Sequence, residues 1–276
     1  MVSLALVAAA GCLVLMGTVI IALQVSLSKR SQKESSFLPA TAEAFARIGR
    51  RFFVLGFVCA ILAFGYRWYH VRHVPLQNLF EVFLCLGTVY PVLLFSRRVL
   101  RARGDASDML MAAIVLFPAG FVFSAEPMQL PPALQSWLFL PHVAAYMLSY
   151  VLMFKAASNA LFQIWSSGLV ADNLEYERST YRIIRVGFPL LTLGLILGSI
   201  WGQLAWGDYW GWDPKELWSL ASWLIYVGYF HWRYMYGVKY PRINSAWAIA
   251  GLVAIVITLI WVNLSRLFPG MHSYAT

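Results

Sequence analysis

Long apolar runs constrain this sequence more than any other feature. There are eight of them, at residues 4–27, 52–69, 79–96, 109–124, 137–164, 183–204, 217–236 and 245–267. A helix needs about 20 largely apolar residues to cross the hydrocarbon core of a bilayer. Within lipid, only helices and closed barrels satisfy all of their backbone polar groups. The runs therefore predict an all-α polytopic membrane protein with about eight transmembrane helices, numbered here as spans 1 to 8, in a single bundle over residues 1–276.

The composition excludes an ordinary soluble domain. Of the 276 residues, 61% are hydrophobic and 12% are charged, whereas soluble domains are about 45–50% apolar and about 25% charged. The three cysteines, Cys12, Cys59 and Cys85, are scattered singly through the spans, so no CxxC pair indicates a zinc or dithiol site. The sequence also lacks GxSxG, HExxH and P-loop patterns, which leaves no nucleophile–base set to support hydrolytic or phosphoryl-transfer chemistry.

The positive charges predict how the chain is oriented in the membrane. The net charge is +9, and sixteen of the 21 Lys and Arg residues fall in the regions that follow spans 1, 3, 5 and 7. Cytoplasmic loops of membrane proteins carry such an excess. The pattern predicts an N-out/C-out protein whose loop between spans 6 and 7 also faces away from the cytoplasm. Because topology accounts for the basicity, we expect membrane lipid and no nucleic acid as a partner.

The loop between spans 6 and 7 is rich in tryptophan. Residues 201–220 read WGQLAWGDYWGWDPKELWSL and hold five of the twelve tryptophans. Tryptophan often anchors helix ends at the membrane interface, and anchoring accounts for one or two of these residues at each helix end. The glycines between the rings favour a second interpretation, in which the loop is an aromatic platform for a flat ligand.

Two capping-box patterns predict where helices begin. In DPKE, Asp213 is a good N-cap, Pro214 suits the first helical turn, and Glu216 stands three residues after the cap. The pair Asn78 and Glu81 has the same spacing at the start of span 3. Spans 7 and 3 are therefore expected to begin at these positions.

Three of the five histidines are candidate metal ligands. His142, near the outer end of span 5, and His272, just after span 8, are expected at the level of the tryptophan-rich loop. His231 lies about 21 Å down span 7, inside a hydrocarbon core about 30 Å thick. Intramembrane histidines are functional candidates, and imidazole is an axial ligand of haem. The alternative for each is a hydrogen-bonded packing residue. His70 and His73 are given no role.

Several motifs resemble one family of haem-handling proteins. WGDYWGWDPKE resembles the WWD signature of cytochrome c biogenesis proteins, in the form seen in the CcsA (ResC) branch. Further resemblances follow in the same order: PLQNLFE at 75–81, PALQSWLFLPHVAAYMLSY at 132–150, WLIYVGYFHWR at 223–233 and VNLSRLFPGMHSYA at 262–275. Independent motifs spread over most of the chain make this resemblance more specific than the tryptophans alone.

The resemblance implies a part in system II cytochrome c maturation. The chain would be the CcsA subunit of a haem lyase, which attaches haem b through thioethers to the CxxCH segment of apocytochrome c. It implies His142 and His272 as axial ligands of a haem on the outer face, and His231 as a ligand of a transmembrane haem. A CcsB (ResB)-like subunit would supply the second ligand opposite His231.

The resemblance also implies a haem-contacting surface within residues 201–218 and a location. The residues concerned are Trp201, Trp206, Tyr209, Trp210, Trp212, Asp213 and Trp218. The location is a bacterial plasma membrane or a thylakoid membrane, with the loop on the periplasmic or lumenal side. Any enzymatic activity is expected to belong to the complex with CcsB.

Three other functions stay open at this point. One is a haem export or delivery protein without ligase activity, similar to the CcmC branch; the DPKE continuation and the eight spans favour CcsA over it. The second is a cytochrome b-like electron carrier, which would place two histidines at matched depth on neighbouring spans. The sequence offers His231 no such partner. The third is a generic transporter, which predicts no bound haem at all.

Overall fold

The computed structural model describes residues 6–20, 39–89, 105–165 and 170–264. All the regular secondary structure in these ranges is helical and none of it is β-strand, which confirms the all-α prediction for this part of the chain. The helices are α1 (Leu6–Ile20), α2 (Pro39–Val71), α3 (Leu79–Val89), α4 (Asp105–Phe121), α5 (Phe139–Trp165), α6 (Val170–Trp206), α7 (Pro214–Tyr236) and α8 (Pro241–Val256). A 3₁₀ turn at Pro132–Gln135 precedes α5, and a π-helical turn at Ile257–Trp261 follows α8.

Four helical segments in the described ranges are long and apolar enough to cross a membrane. They are Arg47–Val71, Phe139–Ile164, Leu174–Trp206 and Pro241–Trp261. Three shorter helices, Leu6–Ile20, Leu79–Val89 and Asp108–Phe121, are also apolar. The chain is therefore a multi-pass membrane protein. The number of eight spans, the single bundle and the outward-facing termini stay predictions.

Helix α6 begins well before the predicted span 6. Its first residue is Val170, so Arg178, Arg182 and Arg185 lie on a helix and not in a loop. The apolar run marks the part of a helix that suits lipid, whereas the helix itself continues wherever its i→i−4 hydrogen bonds can form. The sequence therefore indicated the position of the span but underestimated the length of the helix.

The helices divide into two compact units. The first contains α1, α2, α4, the part of α3 from Phe80, and the residues up to Pro127. In it, the Arg67 Nε donates to the Glu81 carboxylate at 2.8 Å, and both side chains are buried. Arg67 also donates to the carbonyl oxygens of Ala125 and Glu126. Helix α3 does begin directly after Asn78, but Glu81 has an ion-pair partner that the capping interpretation missed.

The second unit contains Leu76–Leu79 and the residues from Met128 onward, including α5 to α8. Helices α6 and α7 are antiparallel neighbours in it, because their contacts run in opposite order along the two helices. Arg233 pairs with Glu177, the Phe230 ring lies 5.2 Å from the Phe188 ring, and Trp223 Nε1 donates to the Thr192 hydroxyl at 3.0 Å.

Candidate functional site

The tryptophan-rich loop joins α6 to α7 in the second unit. At Gly207 the chain takes a φ of 89°, a conformation that suits glycine, and the Gly207 N–H donates to the Gln203 carbonyl at 3.1 Å. The Ser199 hydroxyl donates to the Tyr209 carbonyl at 2.9 Å. The loop is therefore folded back against the last turns of α6.

The other end of the loop is fixed by the predicted capping box. The Asp213 carboxylate accepts from the Lys215 N–H at 2.9 Å, and the Glu216 carboxylate accepts from the N–H groups of Asp213 (3.2 Å) and Gly211 (2.8 Å). The expected start of α7 is thus confirmed. Burial lowers the pKa of the Lys215 ammonium group to about 8, and the Asp213 carboxylate partly opposes this shift.

The aromatic side chains at the end of α6 are more buried than those in the loop that follows. Trp201 is 2% exposed, donates from Nε1 to the Ala133 carbonyl at 3.0 Å, and meets the Trp206 ring edge-on at 4.7 Å. In contrast, Tyr209 is 61% and Trp212 is 67% exposed. Trp212 also has a φ of 56°, an unfavourable value for a bulky residue. The buried Trp201 and the half-buried Trp206 thus lie beneath a loop in which the Tyr209 and Trp212 rings are exposed.

His142 is held in one orientation beside Trp201. Its ring lies nearly parallel to the Trp201 ring, at 5.8 Å and 13°, and the Tyr146 ring packs edge-on at 5.1 Å. His142 Nδ1 is 2.9 Å from the Gly194 carbonyl oxygen. A carbonyl oxygen only accepts, so Nδ1 carries the proton and the neutral ring has its lone pair on Nε2. Histidines that ligate metals are commonly oriented in this way.

Glycines of α6 make the close approach of His142 possible. A Cβ atom at Gly198 would lie 2.5 Å from His142 Cε1, and one at Gly194 would lie 2.9 Å from the Tyr146 ring. With Gly202, these glycines recur every four residues and share one face of α6. Sequence reasoning missed this role, although the GxxxG spacing, which is typical of close helix packing in membranes, was a usable signal.

His231 differs from His142 because it is exposed on α7. The neighbouring Phe230 packs against α6, and Tyr229 is fully buried. Arg233 lies two residues after His231, and its guanidinium forms two hydrogen bonds with the Glu177 carboxylate, at 2.6 and 3.2 Å. Among the residues that the structure describes, the His231 imidazole has no hydrogen bond or ion pair.

The structure brings some of the predicted site residues together. His142 contacts Trp201, and Trp201 contacts Trp206. The rings of Trp210 and Trp212 contact each other at 6.1 Å. In the described part of the chain, Tyr209, Trp210, Trp212 and Trp218 make no ring contact with His142. His272 lies outside the described residues.

Comparison with known proteins identifies the family. A sequence profile of the family described as Cytochrome C assembly protein matches residues 76–269, which include His142, the tryptophan-rich loop and His231. A "Cytochrome c biogenesis protein CcsA" from Prochlorococcus marinus (strain MIT 9303) is 32% identical over 252 residues, covering 75% of this chain and 78% of the relative. The protein of the same name from Guillardia theta is 30% identical over 266 residues, covering 80% and 83%. The chain therefore belongs to the cytochrome c assembly protein family.

Proposed function

We propose that this chain is the CcsA-type subunit of a cytochrome c synthetase. It binds haem b as a substrate, presents it on the outer membrane face and supports its attachment to the CxxCH cysteines of apocytochrome c. The observation that carries this proposal is the environment of His142. The ring is fixed between Trp201 and the Gly194 carbonyl with its lone pair on Nε2, beside a loop with exposed tryptophan and tyrosine rings.

The residues fit the chemistry of a haem on the outer face. His142 supplies one axial ligand and His272 the other, while the exposed rings of Tyr209 and Trp212 offer flat apolar surface to the porphyrin. Haem supplies two vinyl groups, and each thioether forms when a cysteine S–H adds across one of them. The chain itself binds and orients the haem for these additions and needs no acid–base residue of its own.

His231 is the proposed ligand of a second haem position, within the membrane. Its exposure on α7, and the lack of a polar partner among the described residues, support a second ligand from another chain. A CcsB-like subunit is the proposed source of that ligand. The tryptophan-rich loop would then face the periplasm of a bacterium or the lumen of a thylakoid, as the charge pattern of the loops indicates.

Co-expression with a CcsB-type subunit and a CxxCH reporter tests this proposal. We expect the reporter to carry thioether-linked haem, which stays on the polypeptide in a denaturing gel stained for haem. A reporter with both cysteines replaced by alanine is the control. Haem in the purified protein without any thioether product would favour a delivery protein of the CcmC kind. A complex without haem absorbance would contradict both functions.

Gly198→Ala is expected to weaken haem binding at the outer position. The new methyl group would displace the His142 ring from the position that the Gly194 carbonyl and Trp201 define. Overpacking of this kind costs about 1–3 kcal/mol, so we expect a loss of affinity of about tenfold. The measurement is a haem titration of the purified complex in a His231→Gly background, followed by the Soret band.

Gly65→Ala is the matched control for this variant, because a Cβ atom at Gly65 meets nothing within 4 Å. Its haem affinity should equal that of the parent protein. Equal affinities for Gly198→Ala and Gly65→Ala would show that the position of the His142 ring does not govern binding.

A further inference from the structure

Arg185 is an exposed arginine within an apolar helix. It lies on the segment Leu174–Trp206 of α6, and its guanidinium stands over the Tyr181 ring, 5.6 Å from the centroid. Arg233 approaches the same ring at 4.7 Å, but Glu177 neutralises its charge. Within the described ranges, no carboxylate lies within ion-pair distance of Arg185. A charged side chain at such a position is costly unless it meets water or an anion.

Arg185 lies at the same depth as His231. The Phe230 ring of α7 contacts two residues of α6, Tyr181 at 6.2 Å and Phe188 at 5.2 Å. Arg185 falls between these two residues on α6, and His231 directly follows Phe230. The two positions therefore agree in depth to within about one helical turn, or about 5.4 Å.

Arg185 and His231 also emerge on the same side of the helix pair. Each residue advances about 100° around a helix. Arg185 follows the contact residue Tyr181 by four positions, or about 40°, and His231 follows the contact residue Phe230 by about 100°. Both angles are measured along the chain direction, starting from the residue that faces the other helix. Because the two helices are antiparallel, side chains rotated in the same sense from that residue lie on the same side of the pair. Both side chains are exposed, as this placement requires.

The same side of the pair continues as apolar surface towards the tryptophan-rich loop. Ile196 on α6 is 52% exposed, and Leu224 and Val227 on α7 are 53% and 36% exposed. The surface thus combines the Arg185 cation, the His231 imidazole at the same depth, and exposed apolar side chains on the side nearer to the tryptophan-rich loop. A porphyrin has matching parts, because its carboxylates lie on one edge, its iron at the centre and its apolar groups on the remaining edges.

We propose that Arg185 binds a propionate carboxylate of the porphyrin whose iron is ligated by His231. Neighbouring helix axes lie about 8–10 Å apart, a distance that the disc of a porphyrin spans. The guanidinium leans over Tyr181, towards the N-terminal end of α6, so the propionate edge points to that end. This inference rests on the proposed ligation of haem by His231, and it adds the group that orients the porphyrin there.

A titration with two porphyrins tests the role of Arg185. The full chain with its CcsB-type subunit, carrying His142→Gly, is placed in nanodiscs of phosphatidylcholine and titrated with iron protoporphyrin IX or its dimethyl ester. We expect Arg185→Gln to weaken binding of the free acid about 10- to 100-fold, as for hydrogen bonds to charged groups, and to leave binding of the ester unchanged. Arg185→Lys should restore part of the affinity, and Arg242→Gln, an exposed arginine of α8, should change neither.

Three results would overturn the assignment of Arg185. They are unchanged affinity for the free acid, equal weakening of acid and ester, and a loss that appears only when phosphatidylglycerol is added to the discs, which would identify a lipid phosphate as the anion. His231→Gly separates this inference from the proposed function. If it leaves both titrations unchanged, His231 is not the ligand, and both the proposed ligation by His231 and the role of Arg185 fail. If it abolishes them while Arg185→Gln has no effect, only the role of Arg185 fails.

Discussion

Replacing His142 by glycine is expected to remove most of the haem from the outer position and to stop thioether formation on a CxxCH reporter. His142 is the proposed outer ligand whose surroundings the structure describes, and the contact of its Nδ1 with the Gly194 carbonyl favours ligation through Nε2. The Gly194 carbonyl fixes the proton on Nδ1, and the Trp201 ring limits rotation. Glycine removes the ligand and leaves the backbone of α5 free to stay helical. The measurement is the haem content and visible spectrum of the purified complex in a His231→Gly background.

Free imidazole should restore part of this haem. The variant leaves a cavity with the shape of an imidazole between Gly198, Trp201 and Tyr146, with the Gly194 carbonyl still available as an acceptor. Imidazole in the buffer can fill that cavity and ligate the iron through its second nitrogen. Trp201→Phe is a useful comparison, because it keeps the His142 ligand while it removes the hydrogen bond to Ala133 and shrinks the ring that packs against His142 and Trp206. An unchanged spectrum in His142→Gly, with or without imidazole, would refute the role of His142 as a ligand.

The features that the sequence predicted correctly depend on local patterns. The capping box at Asp213 involves residues only three positions apart, and the structure reproduces it. The helical class of the described ranges follows from the apolar runs. Within lipid, few structures other than helices satisfy the hydrogen bonds of the backbone. In both cases, the physical cause acts within one segment of the chain, so one sequence is enough to detect it.

The features that the sequence did not predict depend on partners in other helices. Nothing near His142 in the sequence indicates that its Nδ1 would meet the carbonyl of Gly194, because a backbone oxygen has no residue signature. The ion pair between Arg67 and Glu81 and the one between Glu177 and Arg233 likewise join separate helices. Of these contacts, only the close packing of α5 against α6 was indicated in the sequence, by the four-residue spacing of the α6 glycines.

Glu177→Gln is expected to be strongly destabilising, although Glu177 touches no proposed ligand. The Glu177 carboxylate is 1% exposed and accepts from Arg233 and from the side-chain amide of Asn244, so it connects α6, α7 and α8. Removal of one partner from a buried ion pair costs about 3–5 kcal/mol, because the other charge is left uncompensated. Arg233 retains 15% side-chain exposure and can partly hydrate. We therefore expect about 3 kcal/mol, measured as the free energy of unfolding in mixed micelles of increasing SDS content.

A second substitution distinguishes an uncompensated charge from a simple loss of packing. Arg233→Met in the Glu177→Gln background removes the stranded cation, so the double variant should recover part of the lost stability. Glu175→Gln, the same change two residues earlier on α6, has no ion pair in the described ranges and should have no measurable effect. Because Arg233 lies two residues from His231, the Glu177 variant should also lower haem affinity in the His142→Gly background. A double variant less stable than Glu177→Gln, or haem binding at His231 that survives the loss of the pair, would show that this ion pair does not set the position of α7.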